Sequence, residues 1–119
     1  MSAVGPPDVY TRATRLMDMD AQSQVAAFVA EHDLNAPAAY RLLDTVSELG
    51  EVAKAVCTST AYGADPGSVD VPEDELGDAL FALLALCAEL DVDAEAALET
   101  SLSKYEDRLA ESGQAGSGE

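Results

Sequence analysis

Ten consecutive residues, Ala79 to Ala88, carry no charged or strongly polar side chain. The run is too short to span a bilayer, which takes about 20 apolar residues in a helix. A helix that is apolar all round has to be covered on every side, by its own chain or by another copy. The rest of the chain must therefore supply cover, and its apolar residues recur at helical spacing. Leu42, Leu43, Val46, Leu49, Ala53, Val56 and Cys57 mark one face of a second helix,. Leu98, Leu102, Tyr105 and Leu109 line a third, and Val25, Phe28 and Val29 form a short stripe on a fourth,. These patterns predict an all-α, four-helix bundle-like fold. Three neighbours cannot enclose an all-apolar central helix, so at least a dimer is expected, a homodimer or homotetramer.

The ends of the helices are also readable. The first runs from about Ala21 to Glu31 with Asp20 as N-cap,. The second follows Asn35, with Pro37 in its first turn, where a missing N–H costs nothing. Gly63, Pro66 and Gly67 break the chain between about Thr60 and Val71, and the third helix starts around Pro72,. The fourth follows Asp93, another cap, and Gly113 can end it. Residues 1–18 open with Gly5-Pro6-Pro7 and show no apolar period, so they read as an extension, with Met17 and Met19 as alternative starts. Residues 112–119 are small and polar and read as a disordered acidic tail. The expected domain is therefore 19–111.

Charge narrows the function. Six Lys and Arg stand against 23 Asp and Glu in 119 residues, a net charge of −17. Six cations cannot build the phosphate footprint of a nucleic-acid-binding surface. With no spanning segment and no secretory pattern, membrane association is not expected and a cytoplasmic location is. So large a charge repels itself in dilute buffer and is screened within about 3 Å in 1 M salt. The composition resembles that of cytosolic proteins of salt-loving archaea, which points to a halophilic protein. Cys57 and Cys87 lie 30 residues apart and the chain has one His, so zinc or thiol–imidazole chemistry has almost no raw material,. Both cysteines are expected as buried free thiols.

The most informative pattern is a repeated one. Ser47-Glu48-Leu49-Gly50-Glu51 on the second helix aligns with Asp74-Glu75-Leu76-Gly77-Asp78 on the third at an offset of 27 residues. Each segment places acids at i and i+3, about 5–6 Å apart on one helix face. Two such pairs on packed antiparallel helices would gather four carboxylates. Unless a cation is bound, their repulsion would leave them partly protonated. Mg²⁺ suits such a site because it takes oxygen ligands and keeps waters that phosphate can displace; Mn²⁺ is the alternative. A solvated acidic face is the competing reading. Against it stand Gly50 and Gly77, each costing about 1 kcal/mol within a helix, in a chain that uses Ala at 22 positions. They suggest close approach of backbone or ligand. Lys54, one turn after Glu51, and Lys104 and Arg108, at i and i+4 on the fourth helix, are candidates to hold phosphate oxygens. Ordinary helix-surface pairing is the alternative for these two.

The acidic pair Glu48-Leu49-Gly50-Glu51, then 23 residues, then Glu75-Leu76-Gly77-Asp78 resembles the ExxE…ExxD magnesium motif of the MazG-like all-α nucleoside triphosphate pyrophosphohydrolases. Lys104-Tyr105-Glu106-Asp107-Arg108 is similar to that family's later Lys-Tyr-x-x-Arg segment, and the likeness covers roughly residues 20–110. The resemblance implies hydrolysis of a nucleoside triphosphate between the α- and β-phosphates to monophosphate and pyrophosphate. Glu48, Glu51, Glu75 and Asp78 would bind Mg²⁺, with Glu48 or Glu51 also orienting the attacking water. Lys54, Lys104 and Arg108 would contact the phosphates, in a dimer or higher oligomer. Ser47 and Ser101 depart from the family pattern where many members carry an acid or amide, which implies fewer ligands, one metal instead of two, or weak turnover. Tyr40, Tyr62 and Phe28 are the candidates for stacking on a base. The alternatives are a catalytically inactive acidic helical binding module and a pyrophosphohydrolase of another substrate, such as phosphoribosyl-ATP. A di-iron carboxylate bundle fits poorly, because His32 lies in no Glu-x-x-His motif,.

Overall fold

The computed structural model describes residues 19–113. Among the described residues there are four α-helices, α1 (Ala21–Glu31), α2 (Ala38–Ser59), α3 (Glu73–Glu89) and α4 (Ala94–Ser112), a short 3-10 turn at Pro66–Ser68 and no strand. The all-α expectation holds, and the helices start close to the expected positions, except that Pro37 caps its helix instead of lying in the first turn. The Asp20 carboxylate accepts from the Ser23 N–H at 2.7 Å. Asp93 accepts from the Glu95 and Ala96 N–H groups at 3.0 and 3.2 Å. Pro37 and Pro72 occupy the N-cap positions of α2 and α3, one residue outside the first turn.

The C-termini differ more. Only α4 ends on a left-handed glycine, Gly113 with φ 74°. The turns after α1, α2 and α3 instead place Asp33, Ala61, Tyr62 and Asp91 at positive φ. Thr60 supports the costliest of these turns, where Ala and Tyr adopt αL. Its buried hydroxyl donates to the Val56 carbonyl at 2.7 Å and accepts from the Gly63 N–H at 3.1 Å. Residues 1–18 and 114–119, which include most of the expected extension and tail, lie outside the described residues; α4 itself continues through Ser112.

α3 is the central element, packed chiefly on α2, next on α1, and only slightly on α4. Its contact face is small, with Ala79, Ala82 and Ala85 all buried. Small side chains let α2 approach closely. Arg41 and Thr45 are buried and Glu48, Val52, Ala55 and Ser59 half-buried on α2, at alternating steps of four and three that make a continuous seam. Pairing of Arg41 with Ala82 in one pocket, and of Glu48 with Glu75 and Asp78 in one cluster, makes the two helices antiparallel. Val25 of α1 packs with Leu84 and Ala85, and Val29, Phe81 and Ala94 flank that core. Gln22 ties the far end together. Its side-chain amide donates to the Val92 carbonyl and accepts from the Ala94 N–H, each at 2.7 Å.

Two expectations are corrected here. The apolar stripe of α2 faces outward. Leu43 is 62% exposed and Leu42, Val46 and Leu49 are also exposed, because the face against α3 is the polar and small seam beginning at Arg41. Cys57 shares that outward stripe and is exposed, and Cys87 is half-buried, so the pair are not buried thiols. Leu76, Leu80 and Leu83 likewise leave one side of α3 open, and Leu98, Leu102 and Leu109 leave α4 uncovered.

Candidate functional site

Where the middle of α2 meets the first two turns of α3, one carboxylate oxygen from each of Glu48, Glu75 and Asp78 lies within 4.8 Å of the other two. Glu48 and Glu75 are half-buried and Asp78 is exposed. The helix period explains who takes part. Three residues on a helix leave side chains about 60° apart around the axis. On α3 the Glu75–Asp78 arc straddles the seam, so both acids reach it. On α2 the seam passes through Glu48, and Glu51 turns outward to an exposed position. Glu51 still acts on the cluster electrostatically. Partial removal from water, first, and then the charges of Asp74, Glu51, Asp78 and Glu48 raise the Glu75 carboxyl above its ordinary value,. Every charge that moves it is a carboxylate. The donor set is all oxygen, with no Cys or His in the cluster, which fits a hard divalent cation of the Mg²⁺ or Mn²⁺ kind.

A pocket of about 350 Å³ opens beside the cluster, lined by Arg41, Asp44, Glu48, Asp78, Phe81 and Ala82. Arg41 enters from the seam. One guanidinium nitrogen donates to the Leu34 carbonyl and another lies 3.9 Å from the Asp44 carboxylate. A larger recess, about 410 Å³, lies between the start of α1 and the α3–α4 turn, with Gln22, Asp91 and Asp93 among its walls. The Gln22 amide and the Asp93 carboxylate there are already committed to the clamp and cap described above.

Of the residues singled out by the sequence, Glu48, Glu75 and Asp78 come together, and Glu51 stands beside them. The cations do not join that pocket. Lys54 is exposed on α2. On α4, Lys104 Nζ lies 5.3 Å from the Tyr105 ring centroid and the Arg108 guanidinium carbon 5.7 Å from it. Gly50 and Gly77 have open space where a Cβ would stand, so no part of this chain makes the close approach expected of them. Tyr40 and Tyr62 project into solvent, and Phe28 packs edge-on against Phe81 at 5.9 Å. Sequence reading missed Arg41, Asp44 and Phe81. Asp44 and Arg41 lie four and seven residues before Glu48, and Phe81 three after Asp78, so helical spacing from the acids was the signal that could have found them.

The model of the MazG nucleotide pyrophosphohydrolase domain matches residues 39–111, more than half of the chain. The chain belongs to this family. The match includes both acidic segments and the α4 basic segment, and leaves α1 outside it. Comparison with curated proteins and with solved structures gave no significant match. MazG membership places the chain among nucleotide pyrophosphohydrolases, a family typically dependent on a divalent metal, and the acidic cluster lies inside the matched region. No described helix is long and apolar enough to cross a membrane.

Proposed function

We propose that the chain is a Mg²⁺-dependent nucleoside triphosphate pyrophosphohydrolase that cleaves between the α- and β-phosphates, releasing nucleoside monophosphate and pyrophosphate. One observation carries this reading, the convergence of Glu48 with Glu75 and Asp78 inside the region matched by the family. Glu48, Glu75 and Asp78 hold the cation, with Mn²⁺ as a substitute, and Glu51 extends the set. The bound cation supplies charge neutralisation to the phosphate oxygens. Glu51, free of the cluster and one turn along the helix, orients the attacking water and accepts its proton. A new P–O bond forms as the bridging P–O bond breaks, and the electron pair leaves with pyrophosphate. Lys54 contacts the phosphates from α2. Lys104 and Arg108 do so from α4, which in a single chain leaves the α2–α3 pair, so they meet the triphosphate once assembly brings an α4 against the acids.

That assembly is a homodimer or homotetramer of the 19–111 domain. Support comes from the outward stripe of α2 and the open side of α3. Covering one such Leu or Val is worth about 1.5–3 kcal/mol, and monomers rarely leave a contiguous patch of this kind in water. The acidic exterior suits cytoplasm at high salt. Raising KCl from 0.1 M to 2 M is expected to raise the melting temperature, and a fall would remove the halophilic reading.

The decisive assay incubates the protein in molar KCl with ribo- and deoxynucleoside triphosphates, with Mg²⁺, with Mn²⁺ and with chelator, and separates products by anion exchange. Monophosphate plus pyrophosphate, abolished by chelator and by Glu51→Gln, is expected. No product from folded protein under any metal would overturn the assignment for these substrates.

A further inference from the structure

The pocket beside the acids contains a residue whose presence the packing alone leaves unexplained. Arg41 is buried at 8% exposure in a seam whose other members are small, polar or aliphatic. Burying a guanidinium is costly unless it is fully paired. Its partners are one carbonyl, that of Leu34, and one carboxylate at the long separation of 3.9 Å. A guanidinium has five N–H donors, so donors remain for whatever enters the pocket.

The charge balance says which part of a nucleotide that is. Asp44, Glu48 and Asp78 line the pocket against a single cation. Glu48 and Asp78 also belong to the metal-binding cluster, so a bound cation draws the phosphates to that edge of the pocket and leaves Arg41 and Asp44, one positive and one negative, on the other. An uncharged group is favoured, and Phe81 with Ala82 offers it an apolar wall. The volume, about 350 Å³, falls in the range of small-molecule sites, ~300–1,000 Å³. Arg41 and Asp44 stand side by side, a donor next to an acceptor, which matches a nucleobase edge carrying an acceptor next to a donor. The Leu34 and Asp44 contacts hold the guanidinium in place before the ligand arrives, so little freedom is lost on binding.

We propose that Arg41 is a specificity-determining residue, donating from this pocket to an acceptor on the nucleobase while Asp44 accepts from the base and Phe81 packs against it. The assignment rests on the pyrophosphohydrolase reading for the orientation of the substrate, triphosphate on the acids and nucleoside in the pocket.

The test uses the full chain with Mg²⁺ and reads the two ends of the substrate separately. Nonhydrolysable α,β-methylene triphosphates of the common bases report on both ends together, and inorganic tripolyphosphate reports on the phosphate end alone. Calorimetry gives both affinities for wild type, Arg41→Lys, Arg41→Ala and Phe81→Leu, with a melting curve for each. Arg41→Ala is expected to weaken the preferred nucleotide about tenfold or more, the loss typical of an unmade polar contact, and to flatten the differences among bases to about twofold. Tripolyphosphate affinity should change less than about twofold. Arg41→Lys keeps the charge but not the fork and should lose base discrimination too, and Phe81→Leu should weaken all nucleotides alike.

A parallel loss of tripolyphosphate would place Arg41 on the phosphates and overturn the proposal. So would a lowered melting temperature with base preference intact, which would make Arg41 only a pin for the Leu34 turn. If Arg41→Ala does not fold, Arg41→Lys decides by the same criteria. Wild type that binds nucleotides with an Arg41-dependent base preference but releases no pyrophosphate would sink the hydrolase reading and leave the pocket standing. Wild type that binds no nucleotide would sink the pocket.

Discussion

At the start of α1, the Asp20 carboxylate accepts from the Ser23 N–H, and that bond, with help from the Ser23 side chain, holds its pKa below the ordinary carboxylate value. In the first turn of α3, beside the middle of α2, partial removal from water and four neighbouring carboxylates push Glu75 the other way. The two acids belong to one chemical class and sit on the same small array of helices. At the Asp20 end the side chains of Asp20, Gln22 and Asp93 each meet an internal donor. At the Glu75 end the acids meet one another. A carboxylate supplied with donors is part of the scaffold. A group of carboxylates with only each other for company is stable when something positive comes from outside.

The largest effect that could break this contrast is on turnover. Glu48→Gln and Asp78→Asn are each expected to reduce pyrophosphate release on the order of 100-fold or more, the scale seen when a main electrostatic group is removed. In chelator the same variants should melt at or above the wild-type temperature, since a repulsion has gone. A lowered melting temperature would mean that the acids serve the fold.

Gln22→Ala should do the reverse. It removes two hydrogen bonds between α1 and the α3–α4 turn, and a loss of about 1–3 kcal/mol is expected in urea unfolding. Asp93→Ala should cost about 1 kcal/mol through its lost cap. Activity per folded molecule should stay unchanged in both, and a selective loss of activity would erase the division between the two ends.

Smaller still are the effects at Gly50 and Gly77. Both have room for a methyl group, so either Ala variant should gain up to about 1 kcal/mol of helix stability. Loss of activity without loss of stability would locate a close approach by substrate or by a second chain.

The smallest effect is in pH, because both groups are reached by solvent. The raised Glu75 pKa contributes stability at low pH that is lost as pH rises through it, whereas the lowered Asp20 pKa contributes stability above the ordinary value of 3.8 that is lost as pH falls,. Melting curves in chelator between pH 3 and 7 should therefore show a shallower decline toward neutral pH in Glu75→Gln. Asp20→Asn should show a shallower acid-side loss. Identical profiles for wild type and both variants would remove the contrast.

Much of the scaffold was legible because its signals are local. Asp20 and Asp93 cap, the Pro37 and Pro72 positions start helices, and Gly113 ends one. The acids were legible because a repeated spacing ties them to a face. What escaped is the orientation of α2. Apolar periodicity identifies a face that avoids water but not the molecule that covers it. In this chain the seam against α3 runs through Arg41, Thr45 and Glu48 instead of Leu42 and Val46. Arg41 was passed over for the same reason, since arginine is ordinarily found at the surface. Glu51 was grouped with Glu48 by spacing and by the motif, and only the face that α2 turns to α3 separates them.

The Gln22 clamp also orders events in time. α2 follows α1 directly in the chain, yet α1 rests on α3, and its amide closes on Val92 and Ala94, 70 and 72 residues away. Of the described helices a growing polypeptide makes α1 first, and its clamp can close only after the start of α4 has emerged. The α2–α3 pair, joined by residues 60–72, is free to form earlier because its ends close over a shorter stretch of chain and at lower entropic cost,. The acids come together with that hairpin, before the Gln22 clamp can close.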